Sequence, residues 1–133
     1  MQQLSVIVFR TTEGKILLQF RDSAAPTSPL GWSFFGGMAE GEETPAQAVI
    51  REVKEELEKE LSPGDFRLIV ERVWDDESSG QKINVHLYEG LQPMQWGDFV
   101  VHEGAGAAFL TKDEIEQLPG VSLLAKTWVR DYC

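Results

Sequence analysis

The chain has 133 residues, 42% hydrophobic and 26% charged, with 12 basic residues against 22 acidic ones and a formal net charge of -10. That length suits one α/β-sized domain, expected over residues 1–133, and its acidity argues against a nucleic acid duplex or an anionic membrane as partner while leaving room for a small anion reached through a bound cation. No apolar run approaches the ~18 residues of a spanning helix. The start MQQLSVIVFR is not built like a signal peptide. The sole cysteine, Cys133, excludes an internal disulfide, so a cytoplasmic location is expected.

LSVIVFR (4–10) is rich in β-branched residues and reads as a strand, TTEG as a turn, and KILLQFRD (15–22) as a second strand, together a candidate hairpin. SAAPTSPLG (23–31) reads as a loop and WSFF (32–35) as a short aromatic strand running into Gly36-Gly37. Thr44-Pro45 then looks like an N-cap followed by proline at the first helical position. Ala46, Ile50, Val53, Leu57 and Leu61 make one apolar stripe at helical spacing, and Ser62-Pro63-Gly64 ends it. Two long strands are expected near 66–74 and 82–90; in the second, Ile83, Val85 and Leu87 face the core and Asn84, His86 and Tyr88 a wetter side. QWGDFVV and GAAFL suggest two further short strands, TKDEIEQLP a short capped helix, and VSLLAKTWVR a last helix. Strands interleaved with a few helices give a mixed α/β domain.

Eight of the acidic residues lie between Glu40 and Glu60. Glu52, Glu55 and Glu56 share a face at i, i+3 and i+4, roughly 145° from the apolar stripe by the ~100° turn per residue of a helix. Oppositely charged i,i+4 pairs such as Arg51 with Glu55 are the ordinary device of a solvated helix. Like charges on one face, however, destabilise a helix unless a cation sits among them. Hard oxygen donors at this density suit Mg²⁺ or Mn²⁺, which bind through a few carboxylates plus substrate phosphates. Gly36-Gly37 can bring backbone carbonyls to the same place.

Gly37, Glu43, Arg51-Glu52, Val53 and Glu55-Glu56 stand in the register of the Nudix box, and the element order over nearly all of the chain resembles the Nudix fold. The resemblance implies an α/β/α sandwich with a mixed β-sheet and a catalytic helix after a Gly-Gly loop. It also implies a Mg²⁺-dependent pyrophosphohydrolase, with Mn²⁺ as a substitute, cleaving a nucleoside diphosphate linked to another moiety. A non-catalytic nucleotide-binding or regulatory domain on the same fold is the alternative, and members often form homodimers. The box departs from the pattern at its end: Glu58-Lys59 replaces a glycine and an aliphatic residue, so the helix is expected to run on to Leu61. Phe35 stands where many members carry proline.

By the same resemblance, Glu52 and Glu56 are metal ligands with the Gly37 carbonyl, and Glu55 is a further ligand or orients the attacking water. Arg51 and Glu43 brace the loop against the helix. The general base lies on the helix or on a later loop, where Glu103 is the first candidate and Asp98 the second. Arg21 is a candidate phosphate contact, and Trp32 and Phe35 are candidate substrate contacts from the aromatic strand. His86 and His102 have no partner at zinc-ligand spacing.

Overall fold

The computed structural model describes residues 1–21, 31–76, 79–102 and 106–133. In chain order these form β1 (Gln2–Val8), β2 (Ile16–Phe20), β3 (Trp32–Ser33), β4 (Phe35–Met38), α1 (Pro45–Leu57), a 3-10 turn at Pro63–Asp65, β5 (Phe66–Asp75), β6 (Lys82–Gly90), β7 (Gly106–Leu110), α2 (Lys112–Gln117) and α3 (Leu123–Tyr132). The strands form two sheets, a four-stranded one in the order β4-β1-β6-β5 and a three-stranded one in the order β3-β2-β7. The first is mixed, since β1 runs parallel to β6 and antiparallel to β4.

Side-chain alternation along the strands makes two cores. Val6, Val8, Ile16 and Leu18 point toward α2 and α3, where they meet Ile115, Ala125 and Trp128. Ile7, Phe9, Leu17 and Phe35 point the other way, onto Val49, Val53 and Leu57 of α1. The result is helices on both faces of the strands, the α/β/α arrangement expected. Among the described residues no helix is long and apolar enough to cross a membrane.

Five expectations are corrected. β1 and β2 do not form a hairpin ladder: they belong to different sheets, and an isolated bridge joins Arg10, just past β1, to Ile16 of β2. The aromatic segment is not one strand, because Phe34 is the step by which the chain leaves the three-stranded sheet and enters the four-stranded one. Gln95–Asp98 is a turn, in which Asp98 accepts from the Gln95 amide at 2.9 Å and its own amide donates back to the Gln95 carbonyl at 3.1 Å. Finally, α1 stops at Leu57, with Glu58 in the left-handed region (φ 53°) where a glycine would be the ordinary choice. Leu61 is still buried, reached by the chain after the helix has ended. The side of β6 expected to be wet is largely covered as well, with His86 and Tyr88 both buried and His86 3.4 Å from Glu71.

Candidate active site

α1 begins as its sequence requires. Thr44 accepts from the Gln47 amide at 3.1 Å, Gln47 accepts from the Thr44 amide at 2.9 Å, and Pro45 occupies the first turn, where no amide hydrogen is needed. The helix lies on β4 and β1, so the residues facing those strands are covered. Glu56 is among them, at 3% exposure. The three glutamates therefore do not form one solvated row. Glu56 is buried, Glu52 is mostly covered, and Glu55 is 49% exposed at the rim.

Two glycines make this possible. Gly36 has φ 140° and pairs with Val6 of β1, so close that a side chain there would overlap the Ser5 carbonyl. Its amide donates to Glu56 Oε1 at 3.0 Å. Gly37 has the Glu52 carboxylate directly against it: a Cβ would lie 2.5 Å from Glu52 Cδ and 2.9 Å from Oε2. The absent side chains at 36 and 37 are what let two carboxylates one helical turn apart meet the β4 backbone.

The loop between β4 and α1 is held by Arg51. Its guanidinium donates to both oxygens of Glu43 at 2.8 and 2.9 Å, to the Met38 carbonyl at 3.1 Å, and to Glu52 Oε1 at 2.9 Å. Glu55 lies 3.4 Å away on the same cation. The Glu43 hydrogen bond, with Glu52 as a further partner, raises the Arg51 pKa beyond its ordinary value even though partial burial opposes the charge. In return Arg51, with help from the Glu40 backbone, holds the Glu43 carboxyl below its usual range.

A later segment docks on the far end of the helix. The Val100 amide donates to the Leu57 carbonyl at 3.0 Å and the His102 amide to the Glu56 carbonyl at 2.9 Å, satisfying two of the acceptors a helix end leaves open. His102 Nε2 sits 3.1 Å from Glu58 Oε1. Glu103 lies outside the described residues; Asp98, its alternative, is exposed and committed to the Gln95 turn.

The aromatic candidates divide. Phe35 is fully buried in the core beneath α1 and cannot touch a substrate, which corrects that expectation. Trp32 is half-buried, tilted over Phe20 at 5.1 Å, with its amide bonded to the Gly120 carbonyl. Arg21 follows β2 and its amide donates to the Gly31 carbonyl at 2.8 Å. Sequence reasoning passed over Gln19. It is 2% exposed on β2 and donates to Glu56 Oε2 at 3.3 Å. The signal was present as one polar residue inside the apolar run ILLQF.

Among the described residues no three His, Cys, Asp or Glu side chains converge closely enough to hold a metal ion by themselves. A Mg²⁺ site does not require that, because the ion keeps several waters and takes only one or two carboxylates together with substrate phosphates. Glu52, Glu56 and the backbone at Gly37 are an all-oxygen set of that kind, and they fit such an ion.

Residues 1–129 match the model of the NUDIX domain. The chain is 33% identical over 107 residues to a CTP pyrophosphohydrolase of Escherichia coli (strain K12), covering 80% of this chain and 74% of that protein. Among solved structures it resembles a MutT protein from Methanosarcina mazei Go1, with TM-score 0.82 and 18% identity over 98% of this chain and 91% of the other. It also resembles the E. coli ORF135 protein, with TM-score 0.74 and 24% identity over 98% and 86% of the two chains. At those identities the two structural likenesses speak to fold.

Proposed function

The chain belongs to the Nudix family of hydrolases, and from that premise we propose that it is a Mg²⁺-dependent pyrophosphohydrolase acting on a nucleoside diphosphate derivative, with Mn²⁺ able to substitute. The observation that carries the proposal is the pair of carboxylates at the Gly36-Gly37 backbone: Glu52 lies against Gly37, and Glu56 accepts from the Gly36 amide. Glu52, Glu56 and the Gly37 carbonyl are the proposed ligands, with Glu55 at the rim as a further ligand or as the group that orients water. When bound, the cation screens phosphate charge and acidifies water.

The chain's own residues supply placement. Arg51 and Glu43 fix the loop, so that Gly37 and Glu52 stay opposed. The docked Val100–His102 segment closes the helix end and leads directly to Glu103, the proposed proton acceptor. In the reaction the water oxygen bonds to phosphorus as the bridging P–O bond breaks. The water's proton goes to the base, and the displaced phosphate leaves as an anion. Arg21, at the end of the strand that carries Gln19, is the proposed contact to the substrate's phosphates, and Trp32 a contact to the rest of it.

The E. coli relative is named for CTP, so CTP heads the substrate panel, followed by other nucleoside triphosphates, ADP-ribose, nucleotide sugars and dinucleoside polyphosphates. Hydrolysis is expected with Mg²⁺ and not with excess chelator. Glu56→Gln should lower kcat by about 10²-fold or more, as expected when a charge that stabilises the transition state is removed. Turnover that survives chelation, or a Glu56→Gln enzyme at full rate, refutes the proposal. Nucleotide binding with no turnover across the panel would assign the chain to a non-catalytic role instead.

A further inference from the structure

We infer that Gln19 is a positioning residue for Glu56, set into the second sheet to hold that carboxylate at the orientation a metal ion needs; the inference rests on the proposed role of Glu56 as a ligand. Gln19 is the next-to-last residue of β2, paired with Ser33 on one side and Ala107 on the other. Leu17 points from the same side of the strand into the core beneath α1, and alternation sends Gln19 that way too. A polar side chain buried there costs stability unless it is hydrogen-bonded.

Its partners define its orientation. Gln19 Nε2 lies 3.0 Å from the Phe34 carbonyl and 3.3 Å from Glu56 Oε2. Both partners are acceptors, so only the NH₂ end of the amide can serve them together. The Phe34 carbonyl lies at the step between the two sheets, and the Ser33 hydroxyl also donates to it, at 3.4 Å. Glu56 is gripped from two directions, with Oε1 on the Gly36 amide of one sheet and Oε2 on the Gln19 amide of the other. Neither donor brings a formal charge. Each orients the carboxylate without neutralising its negative charge, and so keeps its attraction for a cation. A lysine or arginine at position 19 would orient Glu56 equally well and compete with the ion.

The alternative is that Gln19 only satisfies the Phe34 carbonyl. Metal binding in substrate-free protein separates the two. Gln19→Met keeps the side-chain length and removes the donors. It should weaken Mn²⁺ binding, read by electron paramagnetic resonance, by about ten- to a hundredfold, the usual consequence of losing a group that orients a ligand. Added to Glu56→Gln, the same change should cost less than about twofold further, because the two residues act as one unit. In wild-type protein titrated with Mg²⁺, the Gln19 side-chain amide resonances should shift along the same saturation curve as the Gly36 amide, a readout that needs no variant to fold. Unchanged Mn²⁺ affinity in folded Gln19→Met, independent effects in the double variant, or a Gln19 amide that stays still while Gly36 shifts would overturn the inference. If Glu56→Gln itself binds Mn²⁺ like wild type, the assignment of Glu56 falls and Gln19's role falls with it. If Glu56→Gln abolishes binding and Gln19→Met does not, only the role of Gln19 is lost.

Discussion

The adjacent glycines should respond to alanine in opposite ways. At Gly36 the obstacle is backbone: φ is 140°, and a Cβ would overlap the Ser5 carbonyl and lie 2.8 Å from Val6 Cα. A non-glycine residue in that region costs about 1–3 kcal/mol. Forcing β4 away from β1 adds about 1–3 kcal/mol of overpacking. The sum, on the order of 2–6 kcal/mol, is a large share of the ~5–15 kcal/mol that holds a domain together, and should lower Tm by about 10–20 °C. At Gly37 the obstacle is the end of a flexible side chain. A Cβ 2.5 Å from Glu52 Cδ must drive that carboxylate about 1 Å away to restore ordinary contact. Stability barely changes, because the ~1 kcal/mol of side-chain strain is offset by the ~0.5–1 kcal/mol gained on replacing a strand glycine. Function does change, since a 1 Å misplacement in a site can cost about 10²-fold in rate. Circular-dichroism melting, Mn²⁺ titration and kcat measured on both variants form the assay. Gly37→Ala with wild-type metal affinity and turnover would refute the reasoning, as would Gly36→Ala melting like wild type.

Arg51→Lys should destabilise the fold by about 1–3 kcal/mol in urea titration, because a single ammonium cannot reproduce the paired bonds to Glu43 or reach the Met38 carbonyl as well. Acid should act through Glu43 and Glu89. Arg51 depresses the folded pKa of the first; for the second, burial pushes up and the bonds from Arg67 and Arg10 outweigh it. Both therefore contribute stability above the ordinary carboxyl value of 4.5 and lose it as pH falls through their lower folded values. The urea midpoint should fall on acidification below that value, and Glu43→Gln should flatten the slope. Glu58→Gly relieves a left-handed residue at φ 53°, worth about 1 kcal/mol. It removes an exposed contact to His102 worth about 0.5 kcal/mol or less, so Tm should rise by a few degrees.

What was legible in the sequence was local. The cap at Thr44-Pro45, the start of α1, the helices after Thr111 and Ser122 and the strands β5 to β7 are set by residues within a few positions of one another, and the chain folds there as its pattern requires. The Gly37-to-Glu56 register was equally plain. What could not be read was set by partners far along the chain. Which sheet β2 joins depends on β7, some ninety residues later. The break at Phe34 follows from that choice. The burial of Glu56 depends on α1 lying against β4 and β1, whereas periodicity alone placed it on the wet side. The helix end was missed for a different reason. The apolar stripe reaches Leu61, but the Val100 and His102 amides close the helix at Leu57 and draw Glu58 into a conformation its side chain does not favour.

These misses share one location. The carboxylates lie where the two sheets meet, and the chain makes that junction in a single residue, Phe34. Two residues later it supplies Gly36, whose amide holds one oxygen of Glu56; across the junction β2 supplies Gln19, whose amide holds the other. A carboxylate clamped between two sheets is oriented only when both are correctly docked. The same docking places α1, and with it Glu52 against Gly37. Ligand geometry in this chain is therefore a property of the packed fold. The Glu52–Glu56 pattern by itself does not determine it: α1 cut free of β4 and β1 would keep every glutamate and lose the site.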